Sequence, residues 1–196
     1  RWERSEGDKG RTKPSIQFSS PGCTAWSLAA IRKDKAKLDK DKHAETPALR
    51  WMARTIRAQL SDGSRAACIE NPQASTIFKQ SPLSGLMSLE TAELIHTDQC
   101  QHGAVDPHTG DPIKKATAFL ALGRLNLAPL ALRCKGDTRC PSHVRLQGTI
   151  PGTGINRTTA SAVYPEILCQ RLAELFSNFA GKPLNNHLSI NFVFWS

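Results

Sequence analysis

An α/β fold is predicted for this chain, on three observations. Two short apolar runs, Ile16–Ser19 and Ala66–Ile69, read as strands, and a long helical segment lies between them. Each run then gives way to a polar turn: Ser20-Pro21-Gly22-Cys23-Thr24-Ala25-Trp26-Ser27 after the first and Glu70-Asn71-Pro72 after the second. A strand–helix–strand order makes a parallel pair. It delivers Cys23 and Glu70 to the carboxyl ends of neighbouring strands, where α/β folds place their sites.

The elements follow in order. Residues 1–14 are polar and charged and are expected to form a flexible N-terminal segment. Ser15–Ser20 is the first strand, closed by Pro21-Gly22. A helix is expected over Thr24–Ile31. Arg32–Lys42 is charged almost throughout and reads as a solvated, mobile segment or as a lid that touches phosphates. Thr46 and Pro47 then suit the N-cap and first turn of a helix. Leu49, Met52, Ala53, Ile56 and Leu60 recur at helical spacing, and Asp62-Gly63 stops it. Arg65–Glu70 is the second strand, Pro82–Leu89 a short helix, and Glu93–Gln101 and Ile113–Leu122 two strands joined across the turn cluster Asp106–Pro112. Arg133–Arg157 is a loop-rich segment bearing Cys and His. Tyr164–Phe179 closes the core as an amphipathic helix, with Ile167, Leu168, Leu172, Leu175 and Phe176 on one side. Leu188–Trp195 reads as an edge strand or a ragged end. One domain over residues 15–180, enclosing the segment 133–157 and followed by a tail at 181–196, accounts for the whole pattern.

Composition sets the bounds. A chain of 196 residues holds one domain of ordinary size. With 39% hydrophobic and 22% charged residues, wholesale disorder is excluded. No run approaches the roughly 18 apolar residues of a membrane span, and no secretory leader opens the chain. An intracellular location is therefore expected, in the cytoplasm of a prokaryotic host or in a nucleus. The start at Arg1, without methionine, suggests a piece of a longer protein. The net charge of +9, from 26 Lys and Arg against 17 Asp and Glu, favours a polyanionic partner without identifying one. In such a setting the six cysteines read as reduced thiols, a catalytic thiol or a metal site rather than as a disulfide framework.

Two residues stand out chemically. Cys23 lies in a tight turn just ahead of the expected helix, where backbone amides and the helix dipole lower a thiol pKa; a structural cysteine is the alternative. Cys68 and Cys169, in apolar runs, read as core residues. Glu70 emerges from an apolar strand, and a carboxylate in that position has a partner or a raised pKa; the alternative is an exposed strand end, with Asn71 and Pro72 forming its turn. A thiolate beside a carboxyl group can attack an electron-poor ring while the acid protonates it. Cys134, Cys140 and His143, with Cys100 or His102 as a fourth member, read either as zinc ligands or as ordinary loop residues. Lys114 and Lys115, then Arg133, Lys135, Arg139 and Arg145 around the cysteines, and Arg157, are candidates to face DNA, with a solvated surface as the alternative.

The pair of turns resembles the Pro-Cys and Glu-Asn motifs of DNA (cytosine-5) methyltransferases, nearest to a phage-like branch that reads Ser-Pro-Pro-Cys-Thr and Glu-Asn-Pro. Further along, Cys100-Gln101-His102-Gly103 with Lys115-Ala116-Thr117 resembles that branch's Cys-x-Tyr-Gly…Lys-x-Thr strand pair. Cys134…Cys140…His143 resembles its Cys- and His-bearing segment. Arg157…Tyr164-Pro165-Glu166-Ile167-Leu168-Cys169 resembles its closing Arg…Pro-x-x-Leu-Cys helix. The resemblance covers Ile16 to Phe176. It implies a Rossmann-like, S-adenosylmethionine-dependent methyltransferase fold with a small irregular recognition segment. It also implies methyl transfer to carbon 5 of cytosine through a covalent cysteine adduct on a flipped-out base. Cys23 would be the nucleophile, Glu70 the group that protonates the base, Asn71 an orienting residue, and Pro21 and Pro72 neighbours of the cofactor. This chain departs from the pattern at Gly22, in place of the second proline, and at His102, in place of tyrosine. No Phe-x-Gly-x-Gly-Gly cofactor loop precedes Ile16, so an N-terminally truncated domain from a phage, virus or mobile element is expected. The alternatives are an inactive methyltransferase-like module that binds nucleic acid and a zinc-stabilised interaction domain.

Overall fold

The computed structural model describes residues 14–27, 30, 34–138, 140–181 and 190–194. Its strands are β1 (Ile16–Ser20), β2 (Ala66–Pro72), β3 (Glu93–Asp98), β4 (Ala116–Leu122) and β5 (Ile190–Phe194). Its helices are α1 (Lys35–Leu60), α2 (Ser81–Met87), α3 (Arg157–Ala160) and α4 (Glu166–Ala180). The strands form one mixed sheet in the order β3-β4-β2-β1-β5. β1 lies parallel to β2, from Ile16↔Ala66 to Ser19↔Ile69, and parallel to β5, from Ile16↔Ile190 to Ser20↔Phe194. β4 runs antiparallel to both β2 and β3. The class is α/β, as expected, and the mixed sheet is compatible with a Rossmann-like arrangement. The expected edge strand at Leu188–Trp195 is present as β5. Residues 1–13 of the expected N-terminal segment lie outside the described residues.

Both sheet faces are covered, because successive side chains of a strand point to opposite sides. From β2 and β4, Ala67, Ile69, Ala118, Leu120 and Leu122 meet Leu49, Met52 and Ile56 of α1 and Leu83 and Leu86 of α2. On the other face Ala66, Cys68, Phe119 and Ala121, with Ile16 and Phe18 of β1, meet Leu168, Leu172 and Phe176 of α4. The rings of Phe18 and Phe176 lie 6.1 Å apart and tie β1 to α4. The turn after β4 requires glycine. Gly123 has φ 74°, and a Cβ there would lie 2.3 Å from the Arg65 carbonyl oxygen.

Four expectations are corrected. α1 begins at Lys35, not at Thr46, so the charged run is helical over most of its length and not a mobile segment. Asp34 caps it by accepting from the Lys37 amide at 3.0 Å, and Pro47 sits inside the helix, where it removes one N–H. Trp26 anchors this polar half: its indole N–H donates to Glu45 at 2.5 Å, and the Lys42 ammonium lies 5.7 Å from its ring centroid. The helix expected over Thr24–Ile31 does not start at Thr24, and residues 28, 29 and 31 of that range lie outside the described residues. Thr24–Trp26 is a turn, closed by Trp26 N–H donating to the Cys23 carbonyl at 3.0 Å. The strand expected over Glu93–Gln101 stops at Asp98, because residues Gln99–His102 wind into a tight turn ended by Gly103 at φ 84°. Ile167 is exposed, on the opposite side of α4 from its buried row. No helix among the described residues is long and apolar enough to cross a membrane.

Candidate active site

The chain passes from β1 to β2 on one side, while β5 flanks β1 on the other. A crevice outside the carboxyl end of a strand in that position is where open α/β sheets bind ligands. Here it is a cavity of about 850 Å³. Cys23 enters it from the turn after β1, Glu70, Asn71 and Pro72 from the end of β2, and Lys115 from just before β4. Pro21 and Pro72 stand in its wall, and Phe18, Leu172 and Phe176 form its apolar floor. The two residues singled out in the sequence therefore face one space.

The polar side chains hold one another. Glu70 is 5% exposed and accepts a hydrogen bond from Ser20 Oγ at 2.7 Å. Asn71 Nδ2 donates to the Pro21 carbonyl at 2.8 Å, tying the cysteine turn to the end of β2. Asn71 Oδ1 is buried and has no hydrogen-bond partner among the described residues. Lys115 Nζ donates to the Ser161 carbonyl at 3.0 Å and lies 5.9 Å from the Tyr164 ring centroid. Burial, then the charge and hydrogen bond of Glu70, push the Tyr164 phenol far above its ordinary pKa. Ser20 and Tyr164 are site residues that sequence reasoning missed. Ser20 sits in the motif itself, and the only signal for Tyr164 is its place one residue ahead of the helix-opening Pro165.

Cys23 is half-buried. Its thiol lies above the ordinary value of 9.0, because of burial first and the Glu70 charge second; its own backbone amide and Lys115 offset part of this. This reverses the expected lowering: Thr24–Trp26 is a turn and not the first turn of a helix, and burial and the Glu70 charge outweigh the backbone amide. Below the raised pKa the thiol is protonated, so its alkylation must quicken as pH rises, with a midpoint above 9.0. Glu70→Gln removes the like charge and should move that midpoint down. Iodoacetamide labelling followed by peptide mass spectrometry measures both; an identical midpoint in the variant contradicts this electrostatic account. Cys169, expected in the core, is exposed and lines the same cavity. It stands three and seven positions before Leu172 and Phe176, on the face of α4 that borders the cavity. Cys68 is buried, as expected.

Cys100, Cys134, Cys140 and His143 come together outside this cavity. One ligand atom from each lies within 4.8 Å of all the others, a Cys3His set that can hold a metal such as zinc. The Gly136 amide, hydrogen-bonded to Cys134, holds that thiol below the ordinary range. His102 is not part of the set. It is buried, with Nε2 2.8 Å from Thr97 Oγ1 and Nδ1 3.2 Å from Arg171, and burial, then Arg171, depress its pKa.

The candidate DNA-facing cations divide. Lys115 reaches the cavity. Lys114 donates to the Cys134 carbonyl at 3.4 Å and lies 4.0 Å from Asp98, and Arg133 lies 3.4 Å from the same carboxylate and donates to Gln73. Arg157 pairs with Asp106. Lys135 and Arg145 are exposed, and Arg139 lies outside the described residues. No protein-family model, curated protein or solved structure matches the chain.

Proposed function

We propose that this chain carries the catalytic centre for methyl transfer to carbon 5 of cytosine in DNA. One observation carries the reading: Cys23, Glu70 and Asn71 line a single cavity at the carboxyl ends of adjacent parallel strands. Its volume lies towards the upper end of the roughly 300–1,000 Å³ of small-molecule sites, room for more than a single base.

The residues divide the work. Cys23 Sγ, once it has lost its proton, adds to carbon 6 of a flipped-out cytosine and forms a C–S bond. The Glu70 carboxyl, oriented by Ser20, hydrogen-bonds ring nitrogen 3 and the exocyclic amine and offsets the negative charge that the attack puts on the ring. Asn71 Oδ1 is an acceptor without a donor. Burying such a group costs about 1–3 kcal/mol, and an amine hydrogen of the base would supply the missing bond. S-adenosylmethionine would supply the methyl group to carbon 5, and we assign Pro21 and Pro72 to its side of the cavity. Transfer of the carbon 5 proton to solvent water would then restore the 5,6 double bond as the C6–S bond breaks and Cys23 leaves as a thiolate. Lys115, at the cavity wall, and the net charge of +9 favour a polyanionic substrate.

The test is direct. The chain is incubated with S-adenosylmethionine and duplex DNA of mixed sequence, and the DNA is digested and analysed for 5-methylcytosine by mass spectrometry. Its appearance supports the reading; its absence, with DNA still bound, points to the second reading, a catalytically inactive nucleic-acid-binding module. That second reading is favoured by one observation, the upward shift of the Cys23 thiol.

A further inference from the structure

We propose that Cys100, Cys134, Cys140 and His143 bind one structural zinc ion, which clips the loop over residues 131–156 to the end of β3 and so fixes the segment that carries Leu146 to the cavity.

The donor geometry fits zinc. Bonds of about 2.3 Å to sulfur and 2.0–2.1 Å to nitrogen give tetrahedron edges of about 3.6–3.8 Å. Cys134 Sγ and His143 Nε2 stand 3.4 Å apart, and no ligand pair exceeds 4.8 Å. All four positions of a closed structural site are filled by protein.

The surroundings fit the charge and the polarity of such a centre. Gln101 Nε2 lies 3.9 Å from Cys100 Sγ and 3.7 Å from Cys140 Sγ, placed to donate to both. Outer donors of this kind orient metal ligands. Three thiolates and an imidazole around Zn²⁺ leave a net charge of −1, and Lys114 is the cation against Cys134. The buried Asp98 carboxylate accepts from the Cys134 amide at 2.8 Å and fixes where that ligand starts. Gly136, at φ 71°, turns the chain immediately after Cys134.

The loop needs a clip. Between Leu130 and Arg157 the described residues form no helix or strand of the sheet. Loops longer than about 12–15 residues without structure of their own are uncommon inside a compact domain, and a metal replaces the hydrogen-bonded ladder that would otherwise hold one. The ion would join two separate places: the turn after β3, through Cys100, and the loop, through the other three ligands. The Val144 amide donates to the Pro112 carbonyl at 3.0 Å, and Leu146, three residues beyond His143, lines the cavity.

The experiment uses the full chain, purified under reducing conditions, and measures bound metal by mass spectrometry and the visible spectrum after exchange into Co²⁺. Expected are one zinc per chain in the wild type and in Cys169→Ser, a loss of at least tenfold in Cys134→Ser and in His143→Ala, and intense tetrahedral thiolate–cobalt absorption in the wild type. If either variant fails to fold, the wild-type cobalt spectrum decides. A wild-type chain that holds less than a tenth of an equivalent after zinc addition, or a weak octahedral cobalt spectrum, overturns the proposal.

Discussion

Glu70→Gln is expected to slow methyl transfer by about 10²–10⁴-fold, the usual range for loss of a positioned acid or base. Glutamine keeps the shape and can still accept the hydrogen bond from Ser20 Oγ, so the fold and the apparent DNA affinity should survive. What it cannot do is move a proton or offset charge on the ring. Single-turnover rates at saturating DNA separate these effects. A loss confined to KM, or a rate reduced less than tenfold, would place Glu70 outside the chemistry. The fall in rate should persist at high pH, where the variant's Cys23 is already a thiolate and has lost its inhibitory neighbour.

Cys23→Ser is expected to take turnover below detection, because a hydroxyl is a far weaker nucleophile than a thiol at the same position. Cys23 is only half-buried and sits in a turn held by backbone and Asn71 contacts, so thermal stability should change little. Cys169 lines the same cavity, which makes Cys169→Ser the informative control. That variant is expected to turn over like the wild type. Activity that survives Cys23→Ser and vanishes in Cys169→Ser would move the nucleophile from the turn after β1 to α4.

What the sequence made legible follows from where the information lies. β1, β2 and their parallel pairing were readable because apolar runs flank a helix with buried residues at regular spacing, and that pairing alone brings Cys23 to Glu70. The first part of α1, residues 35–45, was not readable, since its one large apolar residue is Leu38 and it is anchored instead by Trp26, through Glu45 and Lys42. The direction of the Cys23 shift was misread for a related reason: it depends on burial and on a carboxyl group 47 positions away in sequence rather than on the local turn. Tyr164 and Cys169 reach the cavity because α4 packs on the sheet beside the ends of β1 and β2, a long-range placement that the amphipathic pattern of α4 does not specify. In the metal cluster the close group Cys134, Cys140 and His143 was visible, and the choice between Cys100 and His102 was made by the tight turn after β3, which aims one at the cluster and buries the other against Thr97 and Arg171.

In the proposed reaction Cys23 bonds covalently to the cytosine ring. A duplex bearing 5-fluorocytosine tests it most directly, because fluorine at carbon 5 cannot leave as a proton and the adduct is trapped after methyl transfer. With S-adenosylmethionine present, the expected product is a complex of one chain with one DNA strand that survives denaturation, depends on the methyl donor, and maps by peptide mass spectrometry to Cys23. No adduct at that residue, or one that still forms in Cys23→Ser, would contradict it.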